Sequence, residues 1–164
     1  KYSKSLKKRI KKNKNKLEWT AAKDWDNLIS FYRKEIGAQT GLPDEAYANL
    51  KRLFHEAEEQ QIIEAWYAQE CQSKSIILGA VILNLGKYSV NLFGASSSKG
   101  RELCAMHVFL DRMIKERAGR EMIFDFEGSD IKGVGQFFKS FGSINHPYTE
   151  IKRNNLKAFL GLPF

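Results

Sequence analysis

The sequence is poor in cysteine, proline and histidine, with 2, 3 and 3 residues respectively among 164. Two cysteines, Cys71 and Cys104, are too few for a disulfide scaffold and lack metal-ligand spacing, so we expect no metal site. The sequence also lacks a run of about 18 apolar residues, which excludes a membrane-spanning helix. We therefore expect a cytoplasmic protein. The chain begins at Lys1 rather than Met, which leaves open an upstream segment or domain.

Acidic residues are absent before Glu18, whereas residues 1–16 carry nine lysine and arginine side chains. The rest of the chain holds 18 of the 27 basic side chains against all 19 acidic ones, so the net charge of +8 lies in this segment. Such a segment can bind nucleic acid or another polyanion. The alternative is a solvated helix or a flexible arm. Leu6, Ile10 and Leu17 permit a helix with one narrow apolar stripe, so we treat 1–16 as a basic lead-in helix or linker.

Hydrophobic residues make up 43% of the chain, enough to bury a core, and the length suits one domain, which we place at 17–164. Periodicity and turn residues predict its elements. Asp24 is the expected N-cap of the first helix of this domain and Gly37 its stop, and Gly86-Lys87 suits a type II′ hairpin. The predicted strands are 17–21, 62–68, 75–85, 88–95, 122–126 and 148–152, and the predicted helices are 25–36, 44–57, 102–118 and 134–140.

This order of elements favours a mixed sheet with helices on its faces. The strand at 88–95, the helix at 102–118 and the strand at 122–126 form one right-handed crossover unit. Ligands in such sheets gather at the carboxyl ends of strands and at helix N-termini. We therefore expect the functional residues in 94–101 and 125–128.

Three motifs and the basic opening carry a resemblance. They are Leu92-Phe93-Gly94-Ala95-Ser96-Ser97 with Arg101 and His107, then Phe124-Asp125-Phe126-Glu127-Gly128, then Phe138-Lys139-Ser140-Phe141-Gly142. With the element order, they resemble the GNAT N-acyltransferases and, more narrowly, the second domain of the Fem-type peptidoglycan aminoacyltransferases. The resemblance implies an α/β (α+β) fold with a mixed, largely antiparallel sheet flanked by helices.

The resemblance also implies an N-acyltransferase that moves an acyl or aminoacyl group from a CoA thioester or aminoacyl-tRNA to an amine. It implies no metal, no tightly bound cofactor and no covalent enzyme intermediate. The expected partners are a small-molecule or peptide amine, as in cell-wall or peptide modification, tRNA, and a second GNAT domain in the parent chain. Two alternatives stay open, namely a non-catalytic structural half of a two-domain protein and a nucleic-acid-binding module.

The family places a substrate-contacting lysine where this sequence has Lys139, and its ammonium could face a developing oxyanion or a donor phosphate; the alternative is a solvent-exposed lysine. Asp125 is the ionisable residue of an apolar strand, and burial would raise its pKa and make it a proton acceptor. It could instead point outward or cap the following turn. His107, near the apolar stripe of a helix, is either an acid–base group or a packing residue.

The resemblance assigns donor binding to a set of strand, loop and helix residues, which are Phe93, Gly94, Ala95, Ser96, Ser97, Lys99, Gly100, Arg101 and Phe138. The family's phosphate loop reads Arg or Gln-x-x-Gly-x-Gly or Ala. Aligned on Gly100, this sequence has Ser97 in place of Arg or Gln and Glu102 in place of the small residue. The Glu102 carboxylate would repel a pyrophosphate, with partial compensation by Lys99 and Arg101. A standard CoA site is therefore in doubt, and charged tRNA stays open as donor.

The transferase assignment depends on one geometric expectation. The strands that end near Ala95 and Phe126 should part, leaving a slot whose backbone amides hold an extended thioester or ester.

Overall fold

The computed structural model describes residues 1–127 and 132–147. Its elements, in chain order, are α1 (Lys4–Asn13), a 3-10 turn (Lys14–Lys16), β1 (Leu17–Ala21), α2 (Trp25–Thr40), α3 (Asp44–Glu59), β2 (Ile63–Glu70), β3 (Ile76–Leu85), β4 (Tyr88–Ser96), α4 (Ser98–Glu102), α5 (Ala105–Arg117), β5 (Ile123–Asp125) and α6 (Lys132–Lys139). No helix among these residues is long and apolar enough to cross a membrane.

The strands form one sheet in the order β1-β2-β3-β4-β5. Neighbouring strands are antiparallel from β1 to β4, whereas β4 and β5 are parallel and are joined through α4 and α5. The mixed, largely antiparallel sheet and the crossover unit are therefore confirmed. The hairpin is confirmed too, because Leu85 pairs with Tyr88 and Gly86 takes a φ of 57°.

Two apolar clusters cover the two faces of the sheet. On one face α1 and α5 pack through residues such as Leu6, Ile10 and Phe109, and on the other α2 and α3 pack through Leu28 and Phe54. The central strand β3 contributes to both clusters. Its side chains from Ile77 to Ile82 are buried on both faces, which explains why this stretch reads as a nearly continuous apolar run.

The basic segment begins with a helix that is packed onto the domain. The Ser3 hydroxyl caps α1 by accepting a hydrogen bond from the backbone N–H of Leu6 (3.2 Å). Leu6 is 1% exposed and Ile10 6%, and both lie in the cluster that α5 builds. Burial and the Asp111 carboxylate raise the pKa of Tyr2 to about 12. The apolar stripe of α1 is thus narrow, but both Leu6 and Ile10 are buried against the domain.

Two predicted helix boundaries are wrong. Helix α2 runs through Gly37 and ends at Gly41, whose φ of 61° is the left-handed conformation that terminates helices. The helix predicted at 102–118 is two helices, separated at Cys104, which takes a φ of 54°. At Gly100, a Cβ would lie 2.1 Å from the carbonyl oxygen of Ile77. Helix α4 is therefore pressed against β3, and the chain turns before α5 begins. The strand predicted at 148–152 lies outside the described residues.

Candidate functional site

Strands β4 and β5 stay together over only three residue pairs. Tyr88, Ser89 and Val90 pair with Ile123, Phe124 and Asp125 in turn, and β5 then ends. Strand β4 continues for six more residues, Asn91–Ser96. All of them except Leu92 pair with β3 on one side, and on the other side they have no strand partner among the described residues. We call the space beside Asn91–Ser96 the fork. An unpaired strand edge of this kind offers backbone N–H and C=O groups to an extended ligand.

A bulge in β4 lies where the fork opens. The pairing register shifts between Val81 and Ile82, which face Phe93 and Asn91, so Leu92 is the extra residue of β4. Bulges bend a strand and increase its twist locally. The side-chain oxygen of Asn91 is buried there without a hydrogen-bond partner among residues 1–127 and 132–147. Asn91 was not among the predicted site residues, although an amide inside an apolar strand was a visible signal.

Side chains of the predicted donor strand point to alternate faces. Phe93 is buried and stacks on Tyr32 with ring centroids 3.8 Å apart, so only its backbone can line the fork. Gly94 faces α5, and a Cβ there would lie 2.7 Å from the Met106 methyl carbon. Ala95 is buried and lies beside Gly79 of β3. The fork is therefore lined mainly by the β4 backbone.

Several polar groups of the loop after β4 form hydrogen bonds within the protein. The Ser97 hydroxyl accepts a hydrogen bond from the Gly100 N–H (3.1 Å), and the Ser97 N–H donates to the Ile77 carbonyl (3.0 Å). Arg101 donates to the carbonyl oxygen of Ser96 (2.5 Å). The loop is thus a Ser-based helix cap, and the Gly100 and Ser97 amides are committed within the protein.

Lys99 faces two carboxylates at this loop. Its ammonium lies 3.3 Å from Glu102 and 3.5 Å from Glu70. These two carboxylates raise the pKa of Lys99, while the Ser73 hydroxyl and Lys99 lower the pKa of Glu70. The cation that was expected to offset Glu102 is therefore already paired with it.

Aromatic rings of α6 and its flank pack around Phe126, the residue that follows β5. Phe138 stacks on Phe126 with centroids 5.0 Å apart, and Phe141 packs against both Phe126 and Phe137. Lys139, the last residue of α6, is exposed. The next residue, Ser140, accepts a hydrogen bond at its carbonyl from the Ser3 N–H (2.8 Å). The Lys139 backbone is thus held beside the start of α1.

Asp125 is exposed, so the expectation that it is buried is wrong and the outward-pointing alternative is confirmed. Alternation along β5 puts Phe124 on the face covered by α5, so Asp125 points away from that core and is exposed. Its carboxylate accepts a hydrogen bond from the Glu127 N–H (2.9 Å), which is the turn-capping role. A role in proton transfer stays a prediction, resting only on the position of Asp125 at the branch point of the fork.

His107 is half-buried on α5, between α1 and α6. Its ring meets Phe137 edge to face, with centroids 4.7 Å apart. Burial, and then the positive charge of Arg9, lower its pKa from 6.5. The imidazole is therefore neutral at pH 7 and can accept a proton. Its acid–base role remains a prediction, and its packing against Phe137 supports the structural alternative equally.

All nine basic side chains of residues 1–16 are exposed. They project from α1 and its flanks, whose apolar residues are packed on α5. We call this surface the basic face. The hydrogen bond from Ser3 to Ser140 joins it to the end of α6, where Lys139 lies.

No protein-family model and no curated protein matches this chain. Solved structures do match. FemX superposes with a TM-score of 0.69 at 15% identity over 86% of this chain and 54% of its own, so the chain spans about half the length of FemX. A predicted acetyltransferase from Clostridium acetobutylicum, solved with acetyl-CoA, gives a TM-score of 0.64 at 17% identity, over 86% of this chain and 97% of its own. Glucosamine-6-phosphate N-acetyltransferase from Arabidopsis thaliana gives a TM-score of 0.56 at 12% identity, over 84% of this chain and 97% of its own. The chain thus has the GNAT acyltransferase fold, with similarity to FemX.

Proposed function

We propose that this domain transfers an acyl or aminoacyl group to an amine, with the acyl arm of the donor bound in the fork. One observation carries the proposal, namely that β4 runs six residues past its last pair with β5. An extended donor arm can use the free edge of Asn91–Ser96 as a strand would. The buried, unpartnered oxygen of Asn91 is ready to accept a hydrogen bond from an amide of that arm.

The reaction joins the amine nitrogen to the donor carbonyl carbon and breaks the bond from that carbon to the ester oxygen or thioester sulfur. Negative charge develops on the carbonyl oxygen, where backbone N–H groups of β4 and the Lys139 ammonium would stabilise it. The amine loses one proton. Asp125 and His107 are the candidate acceptors, and they lie on opposite faces of the sheet.

The charge distribution favours a donor carried on RNA over CoA. Residues 1–16 hold nine exposed cations without an acidic residue, which suits the phosphates of an aminoacyl-tRNA. In the loop expected to hold a CoA pyrophosphate, Lys99 is instead paired with Glu102. The Ser97 hydroxyl already accepts a hydrogen bond from the Gly100 N–H. The FemX likeness suggests a peptide amine as acceptor, as in cell-wall modification, and a second GNAT domain as partner.

The test offers the protein a mixture of aminoacyl-tRNAs, and acetyl-CoA separately, with a panel of lysine-containing peptides, and detects acylated products by mass spectrometry. We expect product from aminoacyl-tRNA, and we expect Lys139→Ala to abolish it. Lys34→Ala, an exposed lysine on α2, is the matched control and should keep full turnover. Unchanged turnover in the Lys139 variant would remove Lys139 from the mechanism.

A second candidate is a non-catalytic half of a two-domain protein. The hydrogen bonds that already engage the Ser97 hydroxyl and the Ser97 and Gly100 amides favour it, and so does the match to only 54% of FemX. The two candidates differ in donor binding, because a ligand that binds only the native state raises the melting temperature. If neither an aminoacyl-tRNA nor acetyl-CoA raises it, the non-catalytic candidate is preferred.

A further inference from the structure

A cavity of about 360 Å³ lies at the end of the sheet away from the fork. It is lined by residues of β2, β3, the last turn of α5 and the segment before β5, which are Glu64, Asn84, Glu116, Arg117, Arg120 and Met122. Its volume falls within the roughly 300–1,000 Å³ of small-molecule sites. Along β4, roughly 15 Å of extended chain separates Ser89, beside the cavity, from Gly94 in the fork.

A buried arginine forms one wall of the cavity. Arg117 is only 8% exposed, and its guanidinium donates to Ser89 Oγ (2.5 Å), Glu64 Oε1 (2.8 Å) and the Met113 carbonyl (3.2 Å). Asn84 Nδ2 donates to the same Glu64 oxygen (2.7 Å). Arg117 is thus committed to protein acceptors and does not serve as an anion receptor. Its effect is to hold the Glu64 carboxylate in one position.

Other charges at the cavity remain available. Glu64 Oε2 has no hydrogen-bond partner in the described part of the chain, and neither has Glu116 Oε2, although Glu116 Oε1 accepts from Arg112 (2.7 Å). The guanidinium of Arg120 has no hydrogen bond or ion pair to residues 1–127 or 132–147. The cavity therefore offers two carboxylate oxygens for a cation and one guanidinium for an anion.

The geometry points to a binding site for a small neutral α-amino acid. The ligand ammonium binds Glu64 and Glu116, its carboxylate binds Arg120 through two parallel hydrogen bonds, and a short side chain contacts Met122. The four charged lining residues sum to zero, so a zwitterion leaves the site neutral. A simple anion would face two carboxylates, and a simple cation would leave Arg120 without a partner.

The cavity adjoins the closed end of the fork, where β4 and β5 are still paired. Ser89 accepts a hydrogen bond from Arg117 and also pairs with Phe124, so it connects the cavity wall to the last region where β4 and β5 are joined. A bound amino acid would hold this region together. Binding at this cavity does not depend on the proposed transferase function, so a binding measurement alone tests it.

The experiment titrates the isotopically labelled protein with L-alanine and follows backbone amide shifts by NMR. We expect saturable shifts at Glu64, Arg117 and Met122. Two analogues each remove one charge of the ligand: N-acetyl-L-alanine lacks the ammonium, and L-alanine amide lacks the carboxylate. Each should bind at least about ten-fold more weakly, because each leaves one charged protein group without its partner.

Arg120→Gln should weaken L-alanine binding by about ten-fold or more, and Arg52→Gln, an exposed arginine on α3, should leave it unchanged. Because Arg120 is exposed, its substitution should not disturb folding, and the amide spectrum of the variant checks this. The proposal is overturned if L-alanine causes no saturable shifts, if Arg120→Gln binds equally well, or if N-acetyl-L-alanine binds as tightly, which would make the cavity an anion site.

Discussion

The backbone N–H of Ser3 donates a hydrogen bond of 2.8 Å to the carbonyl oxygen of Ser140. This contact fixes the start of α1 to the residue that follows Lys139. Tyr2 adds an edge-to-face contact with Phe141, with ring centroids 5.4 Å apart. The backbone that carries the basic face is therefore anchored next to Lys139, the candidate catalytic lysine.

The docking of α1 predicts a large effect of Leu6. Leu6→Ala should lower the free energy of unfolding by about 2–5 kcal/mol, because the side chain is 1% exposed in the core under α1. The control Lys7→Ala removes an exposed side chain and should stay within about 0.5 kcal/mol. Urea denaturation measures both. Equal stabilities would show that α1 does not contribute its packing to the fold.

The basic face predicts salt-dependent RNA binding. The triple variant Lys7→Gln, Lys8→Gln, Lys11→Gln should weaken tRNA binding and reduce the slope of log K against log salt by about 0.7–0.9 for each lost phosphate contact. The matched control changes three exposed lysines elsewhere, Lys23, Lys34 and Lys87, to glutamine. Filter binding over a salt series gives both slopes. If the two triple variants behave alike, net charge alone drives binding.

His107 predicts a loss of stability in mild acid. Its folded pKa lies below the unfolded value of 6.5, so the unfolded chain takes up the proton first as the pH falls. Stability from this group is complete above pH 6.5 and declines as the pH drops toward the folded pKa. His107→Gln should therefore show a shallower decline below pH 6.5 in denaturation experiments, with His55→Gln as the comparison. The same decline in His107→Gln and the wild type would contradict the burial argument.

Two glycines beside the fork predict unequal costs. A Cβ at Gly100 would lie 2.1 Å from the Ile77 carbonyl oxygen, which is backbone and cannot easily move, whereas a Cβ at Gly94 would meet the flexible end of Met106. Gly100→Ala should thus destabilise the protein by about 1–3 kcal/mol or more, and Gly94→Ala by less. Thermal denaturation ranks them. The reverse order would mean that α4 does not press against β3 as described.

Local patterns in the sequence were sufficient to predict most strands of the sheet. The apolar run around Ile77–Ile82 predicted a strand covered on both faces, and Gly86 predicted the hairpin. The errors arose where distant parts of the chain decide the outcome. Helix α4, which precedes the break at Cys104, packs against β3 where Gly100 meets Ile77, and helical periodicity does not reveal this contact.

The candidate site was predicted in outline only. The strand 88–95 and the loop after it were predicted next to the crossover unit, as the structure has them, but the sequence left open whether Asp125 is buried, points outward or caps the following turn. Its exposure follows from alternation, because Phe124 and Phe126 both pack against the cluster on the α5 face. Lys99 of α4 pairs with Glu70 of β2. These residues are distant in the sequence, so local patterns could not predict the ion pair.

The central claim is that the fork holds the donor arm, and amide hydrogen exchange tests it most directly. In the free protein, the amides of Asn91–Ser96 that face away from β3 should exchange faster than those of Ile77–Ile82, because the fork leaves them without a strand partner in the described part of the chain. A saturating aminoacyl-tRNA should slow exchange at Asn91–Ser96 selectively. Exchange in the free protein as slow as in β3, or no change on adding either aminoacyl-tRNA or acetyl-CoA, would contradict the account.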